Sequence, residues 1–279
     1  AIGAGAENMS RVPMGSNRSI HGEAFGWMVA ERYEMTSQGE AAERLCDQWE
    51  LGREDLDAFA VESHRRACAA ASAGHFEKEV VPVPVMQVRE KGAEGEAHLF
   101  SADETIRPGT AVEKLATLKT SFRADGRLTA GNSSQISDGA AGLLLMSSVK
   151  ARSLGLKPRA RFVAFDVVGD DPLYMLTAPI PATQRVLAKA KMKLDEIHHY
   201  EINEAFASVP MAWQKELQAD GERLNPRGGA IALGHPLGAS GIRLMTTMLH
   251  ALEDSGQRYG LQSMCEAGGM ANATIIERL

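Results

Sequence analysis

Cysteine is scarce in this chain, which has 279 residues and three cysteines, Cys46, Cys68 and Cys265. The three are odd in number and widely separated, and the sequence contains no Cys-x-x-Cys pair and no Cys/His cluster. This pattern supports neither a disulfide scaffold nor a structural zinc site, so we expect no metal centre. A reducing compartment is the simple inference.

The chain also lacks an excess of basic residues and any long apolar run. Its formal net charge is −6, which leaves no basic footprint for nucleic acid and no polybasic patch for a membrane surface. No apolar segment is long enough to span a bilayer. With 44% hydrophobic and 24% charged residues, the composition is typical of a globular protein with one large or two moderate domains.

The first residues lack an initiator methionine, a signal peptide and a helix start. Residues 1–6 read as the end of a strand that is entered midway. If a segment is missing upstream, any targeting signal is missing with it, and the sequence then indicates the cellular location only weakly.

Periodicity predicts mostly helices in the first half and alternating strands and helices after residue 138. Ser37 and Glu40 form a capping-box pair ahead of one helix, and a second helix runs from Arg53 to a stop at Gly74. An edge strand or extended loop at 79–88, a surface excursion at 91–110 and a short buried run at 141–146 are also predicted. Later strands are predicted at 160–168, 199–202, 261–265 and 273–277, and helices at 182–190, 204–217 and 242–252. This order favours an α/β layered fold.

The most informative segment runs from Asn225 to Gly241 and places five glycines around one histidine. Pro236 pushes His235 into an extended conformation, and the glycines permit positive φ angles and close approach of other groups. The apolar pattern that follows predicts a helix, so His235 lies just before a helix N-terminus. There the partial positive charge lowers the pKa of the imidazole and keeps it neutral, able to accept a proton. Taken alone, the segment could also be a tight connection.

Three further segments carry polar groups with two interpretations each. Cys265 ends a strand before paired glycines, where free backbone N–H groups could stabilise a thiolate or an oxyanion; the simpler interpretation is a buried cysteine beside a turn. Asn203 opens the helix predicted at 204–217, either as an N-cap or as a donor that fixes a water or a substrate oxygen. Residues 129–135 are either a turn or the lining of a slot for a narrow polar ligand. Cys46 and Cys68 fall inside predicted helices and read as inert packing.

Together these segments resemble the thiolases, the acyl-CoA:acetyl-CoA C-acyltransferases. The His signature of that family, N-x-x-G-G-x-aliphatic-[SA]-x-G-H-P-x-G-x-S-G, is met at every fixed position from Asn225 to Gly241. The closing pattern of a cysteine followed by small residues is met from Cys265 to Ala273. The blocks at 7–11, 130–132 and 203–206 also match, in the order of the family, so the resemblance covers the whole chain.

The resemblance implies roles for individual residues. His235 would take the proton of a nucleophilic cysteine and polarise the thioester oxygen, and Cys265 would be the general acid and base at the acetyl methyl carbon. Asn203 would hold a water that forms one oxyanion hole with His235, and the main chain at Ala267, where most relatives have glycine, would form the other. The coenzyme A arm would be lined by Ser134, Arg107, Phe122 and Phe206, with Arg107 contacting its phosphates. No permanently bound cofactor is implied; coenzyme A and acyl-CoA are substrates.

One departure from the family is large. The nucleophilic cysteine of thiolases lies upstream of the segment that resembles residues 1–11, and neither Cys46 nor Cys68 has the context to replace it. We therefore expect that most of the N-terminal half of the fold is missing and that the chain is inactive alone. The expected domains are a remnant of the N-terminal half at 1–5 and 137–159, a mostly helical loop domain that binds coenzyme A at 6–136, and the C-terminal half at 160–279.

The expected function is thiolytic cleavage of 3-ketoacyl-CoA to acetyl-CoA and a shortened acyl-CoA, with Claisen condensation as the reverse. The segment Gly229–Gly234 favours this degradative branch over acetoacetyl-CoA-forming enzymes, while fatty acyl and sterol side-chain substrates both stay open. A non-catalytic acyl-CoA-binding protein derived from a thiolase and a ketoacyl-synthase-like condensing enzyme are the alternatives. The family implies a homodimer or homotetramer, and a bacterial cytoplasmic location is the simplest, with an organelle also open.

Overall fold

The computed structural model describes residues 1–88 and 94–279. The strands are β1 (Ile2–Asn8), β2 (Val83–Val88), β3 (Glu94–Phe100), β4 (Asp138–Leu144), β5 (Ala160–Gly169), β6 (His199–Ile202), β7 (Tyr259–Glu266) and β8 (Met270–Arg278). The helices are α1 (Ser16–His21), α2 (Trp27–Arg32), α3 (Gln38–Gln48), α4 (Arg53–Ser72), α5 (Val112–Ala116), α6 (Ser148–Ser153), α7 (Pro179–Ala190), α8 (Ser208–Leu217), α9 (Ala230–Leu233) and α10 (Leu237–Ser255). No helix within these described ranges has the length and apolar character needed to cross a membrane.

Helix α10 is the element around which the layers are arranged. A four-stranded sheet in the order β5-β8-β7-β6 contains one parallel pair, β6 with β7, and is otherwise antiparallel. A separate antiparallel pair is formed by β1 and β4. Helix α10 packs against β6, β7 and β8 and also against β1 and β4, so it lies between the two sheets. Helix α7 packs on β5 and β8, which completes the layered α/β arrangement that the sequence predicts.

The main core joins the four-stranded sheet to helices α3, α4, α7 and α8. Its largest buried side chains include Trp213 and Tyr200, whose ring centroids are 5.3 Å apart. The indole Nε1 of Trp213 donates a hydrogen bond to Thr183 Oγ1 at 2.9 Å, so the polar atom of this side chain is satisfied in the core. Small residues such as Ala41 and Ala42 are fully buried and allow α3 to pack closely.

Most predicted elements are confirmed, with small shifts of their ends. Ser37 is the N-cap of α3 and accepts a hydrogen bond from the Glu40 N–H at 3.2 Å. Helix α4 ends at Ser72, two residues before Gly74, which has a φ of +74°. The strands predicted at 160–168, 199–202, 261–265 and 273–277 correspond to β5, β6, β7 and β8.

Two predictions about elements are wrong, and a third is met only in part. The segment predicted as a surface excursion at 91–110 is mostly exposed from 97 onward, but it contains β3, which pairs with β2; the part at 91–93 lies outside the described residues. The buried run predicted at 141–146 belongs to β4, whose residues alternate between exposed and half-buried because α10 covers only one face of the β1–β4 pair. The helix predicted at 204–217 begins only at Ser208, with Ala207 as its N-cap.

Candidate active site

The loop that carries His235 is shaped by glycines at which a side chain does not fit. Gly228 and Gly234 have φ angles of +78° and +87°. A Cβ at Gly228 would lie 2.6 Å from the Ser63 carbonyl oxygen on α4, and one at Gly234 would lie 2.3 Å from Ser137 Oγ. Between them the chain forms the short helix α9, which the sequence did not predict. The loop is therefore clamped against α4 and the segment before β4, with little freedom for His235.

A buried carboxylate, that of Glu204, ties this loop to the rest of the site. Its oxygens accept hydrogen bonds from Ser63 Oγ at 2.7 Å, Asn225 Nδ2 at 2.9 Å and the Ile231 N–H at 3.1 Å. Burial raises the pKa of Glu204, and these three hydrogen bonds act in the opposite direction. A Cβ at Gly229 would lie 2.2 Å from the carboxyl carbon of Glu204, so this glycine makes room for the carboxylate.

The hydrogen bonds of His235 define its tautomer. Its Nδ1 lies 2.6 Å from Ser240 Oγ, and this hydroxyl lies 2.9 Å from the Pro236 carbonyl oxygen. A serine hydroxyl has one proton, and the carbonyl can only accept, so Ser240 donates to Pro236 and accepts from Nδ1–H. In the neutral ring the proton is therefore on Nδ1, and Nε2 carries the lone pair.

Asn203 faces that lone pair. Its Nδ2 lies 3.3 Å from His235 Nε2 and can donate to it, while its Oδ1 is buried and has no hydrogen-bond partner among the described residues. Asn203 is not the helix N-cap that one interpretation of the sequence gave, because α8 begins five residues later. A buried amide oxygen without a partner is expected to accept from a water or a ligand.

The imidazole of His235 is neutral in the physiological range. Burial lowers its pKa to about 4, and the nearby Arg243 guanidinium acts in the same direction. The expected position just before a helix N-terminus is confirmed, since α10 begins at Leu237. Arg243 lies three residues after Ser240 on the same face of α10. Its terminal Nη1 and Nη2 are buried without a hydrogen-bond partner in the part of the chain that the structure describes.

Replacing Arg243 with methionine is expected to raise the pKa of His235, because the protonated imidazole would no longer be repelled by a buried cation. The increase should be partial, since burial, the larger cause, remains. NMR titration of the histidine side chains measures it. Arg161→Met, which removes an exposed arginine from β5, is the control. An unchanged His235 pKa in Arg243→Met would exclude the electrostatic influence of Arg243.

Cys265 lies near the end of β7, ahead of the turn formed by Gly268 and Gly269, whose φ angles are +84° and +86°. The Asn203 N–H donates to the Ser263 carbonyl oxygen at 3.1 Å, which places Asn203 beside the strand two residues before Cys265. The Cys265 side chain is half-buried, and burial raises the pKa of its thiol to about 12, with the charge of Glu266 acting in the same direction. At neutral pH this cysteine is a protonated thiol.

Two neighbours of Cys265 in the sequence have simple environments. The Glu266 carboxylate accepts a hydrogen bond from Asn272 Nδ2 at 2.8 Å across the β7–β8 turn. Ala267, predicted to provide a backbone N–H, is exposed at that turn. The positive φ angles of this turn are at Gly268 and Gly269, and Ala267 is not among the residues with a positive φ.

The residues predicted to contact coenzyme A lie on segments that contact one another and the His235 loop. Phe122 and Phe206 pack edge to face with centroids 5.6 Å apart, and the Ser134 N–H donates to the Ala205 carbonyl oxygen at 3.0 Å. Arg107 is exposed, and its Nη2 lies 3.4 Å from Gln135 Oε1. The backbone carbonyl of Gln135 accepts from the His235 N–H at 3.2 Å, so one residue links Arg107 to the candidate base.

The other two cysteines lie elsewhere. Cys46 is buried in α3, where its Sγ contacts the Ala42 carbonyl oxygen at 3.4 Å and burial raises the pKa of its thiol to about 12. Cys68 is half-buried on α4. No hydrogen bond within the described ranges joins either one to His235 or Asn203.

Ser240 and Glu204 were not predicted as site residues, whereas Gln135 belongs to the segment 129–135 that was predicted as either a turn or the lining of a ligand slot. Ser240 stands inside the glycine-rich segment, so its fixed spacing of five residues from His235 was an available signal. Glu204 was interpreted as a first-turn helix residue, because acidic residues are common there. Nothing in the local sequence indicates that Gln135 would link Arg107 to His235, which are far apart in the chain.

Comparisons with known proteins agree with the resemblance seen in the sequence. The family model described as "Thiolase, N-terminal domain" matches residues 1–149, and the one described as "Thiolase, C-terminal domain" matches residues 156–278. The first match does not support the expectation that most of the N-terminal half is missing. Nor do these matches support the expectation that the chain lacks its nucleophile and is inactive.

Two curated relatives and two solved structures illustrate the similarity. The chain is 46% identical to the steroid 3-ketoacyl-CoA thiolase FadA6 of Mycobacterium tuberculosis, over 100% of this chain and 68% of that protein. It is 42% identical to a 3-ketoacyl-CoA thiolase of Bacillus subtilis, over 99% and 71%. Human mitochondrial 3-ketoacyl-CoA thiolase superposes with a TM-score of 0.88 at 34% identity, and Bacillus anthracis acetyl-CoA acetyltransferase with 0.86 at 37%. These superpositions cover 100% of this chain and 71% and 72% of the two structures, respectively.

Proposed function

The chain belongs to the thiolase family, and on this basis we propose that it acts in the thiolytic cleavage of 3-ketoacyl-CoA to acetyl-CoA and a shortened acyl-CoA. The reverse direction is a Claisen condensation. The observation that carries the proposal is the hydrogen-bonded set Asn203–His235–Ser240, whose Asn203 is bonded through its backbone to the strand that carries Cys265. A neutral base, a thiol acid and amide donors are the groups that carbon–carbon cleavage next to a thioester requires.

His235 is the proposed base of the thiol steps. Because Ser240 holds the ring proton on Nδ1, the Nε2 lone pair can take the proton of an attacking thiol in place of its 3.3 Å contact with Asn203 Nδ2. The resulting imidazolium carries a proton on Nε2, where it can donate to the oxygen of the thioester or ketone as negative charge develops there. The low pKa of His235 keeps the ring in its accepting form throughout the neutral range.

Cys265 is the proposed acid at the acetyl carbon. The thiolate that forms when His235 takes the proton of the coenzyme A thiol adds to C3. Collapse of the resulting alkoxide to the new thioester breaks the bond between C2 and C3 and leaves the electron pair on C2 as the enolate of acetyl-CoA. The Cys265 thiol donates its proton to C2 and becomes a thiolate, which takes a proton back from the His235 imidazolium. A thiol with a pKa of about 12 stays protonated until such a basic carbon forms beside it.

Asn203 and the turn after Cys265 are the proposed oxyanion sites. The unpartnered Oδ1 of Asn203 favours a bound water between this side chain, His235 and the substrate oxygen. The backbone at Ala267 supplies the second donor. Removal of a single donor of this kind costs roughly 10²–10³-fold in turnover in enzymes that rely on them.

The coenzyme A arm is proposed to run past Phe122, Phe206 and Ser134, with Arg107 at its phosphates. Arg107 suits that contact because it is exposed and its guanidinium has only a long contact with Gln135. We also retain as proposals the loop domain at 6–136, a C-terminal half at 160–279, assembly as a homodimer or homotetramer, and a cytoplasmic location.

Replacing Cys265 with alanine tests the proposal. In the purified protein the substitution should leave acyl-CoA binding measurable, because the residues proposed for the coenzyme A arm are unaffected. Thiolysis of 3-ketoacyl-CoA should fall by roughly 10²–10⁴-fold, the range for loss of a general acid.

Cys46→Ala and Cys68→Ala are the matched controls, and both should retain thiolysis within about twofold, since neither thiol contributes to the chemistry in this proposal. Full steady-state activity of Cys265→Ala would contradict the assigned role. Tight acyl-CoA binding without any cleavage by the unaltered protein would favour the non-catalytic alternative.

A further inference from the structure

An aromatic side chain from a distant part of the sequence lies over the turn that follows Cys265. A Cβ added at Gly268 would lie 3.3 Å from Cζ of Phe25, so the ring edge of Phe25 borders this turn. Phe25 belongs to the segment 16–33, which contains the two short helices α1 and α2. Neither helix has a buried residue, so packing within the core does not explain why this segment is apolar.

The apolar character of the segment is concentrated in exposed side chains. Trp27 is 69% exposed, and Ile20 and Met28 are similarly exposed. Phe25 itself is 41% exposed although its edge faces Gly268. Several exposed apolar side chains of this size within one short segment are uncommon on a protein surface, and such surfaces mark ligand or partner sites.

Two other segments add exposed apolar side chains immediately next to the candidate catalytic groups. Met270 follows the Gly268–Gly269 turn and is 45% exposed, and Leu237, two residues after His235, is 43% exposed. Phe25, Met270 and Leu237 thus come from three separate parts of the chain, and each lies in or beside a segment that carries Cys265 or His235. The polar residues assigned to the coenzyme A arm, Arg107 and Ser134, contact Gln135 and Ala205, respectively.

We propose that Phe25 and Trp27, with Met270, form the wall that receives the acyl chain of the substrate, and that the preferred acyl groups are therefore apolar and longer than four carbons. This inference rests on the proposed thiolase function. In this proposal the acyl chain passes the Gly268 turn that follows Cys265, and the ring edge of Phe25 borders that turn. Burying an apolar chain against these side chains removes both surfaces from water, which favours long chains over short ones.

Trp27 provides a direct reporter of this wall. Of the three tryptophans, Trp49 and Trp213 are buried, so an emission change caused by contact with an acyl chain comes from Trp27. Decanoyl-CoA should shift the emission to shorter wavelength, whereas butanoyl-CoA and free coenzyme A should bind without that shift. Neither acyl-CoA has a 3-keto group, so neither is cleaved during the titration. Trp27→Phe should remove the signal.

Replacing Phe25 with alanine tests the wall by affinity. The dissociation constant for decanoyl-CoA should rise roughly tenfold, since a large part of one aromatic contact is lost, while that for butanoyl-CoA should change by less than about twofold. Phe162→Ala is the matched control, because Phe162 is 48% exposed but lies near the opposite end of β5 from the turn. That variant should bind both acyl-CoA molecules as the unaltered protein does.

The possible outcomes separate this inference from the proposed function. If neither acyl-CoA nor coenzyme A binds, the thiolase proposal fails. The wall is refuted, and the proposed function stands, if Phe25→Ala changes the dissociation constants for decanoyl-CoA and butanoyl-CoA equally. The same holds if decanoyl-CoA binds without a shift in Trp27 emission. Trp27 emission could instead shift with protein concentration in the absence of ligand, together with a change in oligomeric state. That result would assign the surface to a second copy of the chain and overturn the inference.

Discussion

Replacing His235 with alanine is expected to reduce kcat/KM for 3-ketoacyl-CoA thiolysis by roughly 10⁴-fold, which combines the loss of a general base with the loss of an oxyanion donor. The two losses are not independent, because the same Nε2 accepts the thiol proton and later donates toward the substrate oxygen. No other imidazole can replace it through the contacts described, since the Asn203 amide and the Ser240 hydroxyl both point to this ring. The measurement is steady-state thiolysis at several substrate concentrations.

The control for that variant is His98→Ala, which removes an exposed histidine from β3. Its kcat/KM should stay within about twofold of the unaltered protein, as expected for a surface substitution away from the site. If His235→Ala keeps more than one tenth of the activity while its fold is intact by circular dichroism, His235 is not the base.

Replacing Gly229 with alanine is expected to destabilise the protein by about 3 kcal/mol or more, although only one methyl group is added. The methyl carbon would lie 2.2 Å from the Glu204 carboxyl carbon, and this carboxylate cannot retreat without breaking hydrogen bonds to Ser63, Asn225 or Ile231. Gly229 has a φ of −138°, so backbone strain does not contribute and the clash is the whole cause. Urea unfolding measures the loss of stability.

Two comparisons make this prediction specific. Gly169→Ala, at the end of β5, has no atom within 4 Å of the added carbon and should change the free energy of unfolding by less than about 1 kcal/mol. Glu204→Ala removes the group that the methyl would strike, so adding Gly229→Ala in that background should cost little. Additive losses in the double variant would show that the clash with Glu204 is not the cause.

The sequence alone was sufficient for the parts of the site that local backbone chemistry determines. Glycines that need positive φ angles, a proline after His235 and an apolar helix period together predicted the loop and the helix after it, and α10 begins where they require. The long helix α4 and the strands of the four-stranded sheet follow from periodicity in the same way. The layered α/β fold class follows from their order.

Features that depend on contacts between distant segments could not be predicted. Asn203 matched both a helix cap and a catalytic amide in sequence, and only its contact with His235 distinguishes the two. In the sequence, β4 is predicted to be fully buried because its residues are small and apolar. Only the packing of α10 on one face of the strand explains why its residues alternate between exposed and half-buried. Phe25 has no local pattern that links it to a turn more than 240 residues later.

A ¹⁵N NMR titration of the His235 side chain tests most directly whether this histidine is the base. We expect a neutral ring with its proton on Nδ1 at pH 7 and a midpoint near a pKa of about 4, because burial opposes the charged form. In Ser240→Ala the preference for the Nδ1–H tautomer should weaken, since its acceptor is gone. A His235 that titrates at the ordinary value of about 6.5, or that carries its proton on Nε2 when neutral, would contradict the assignment of His235 as the poised base.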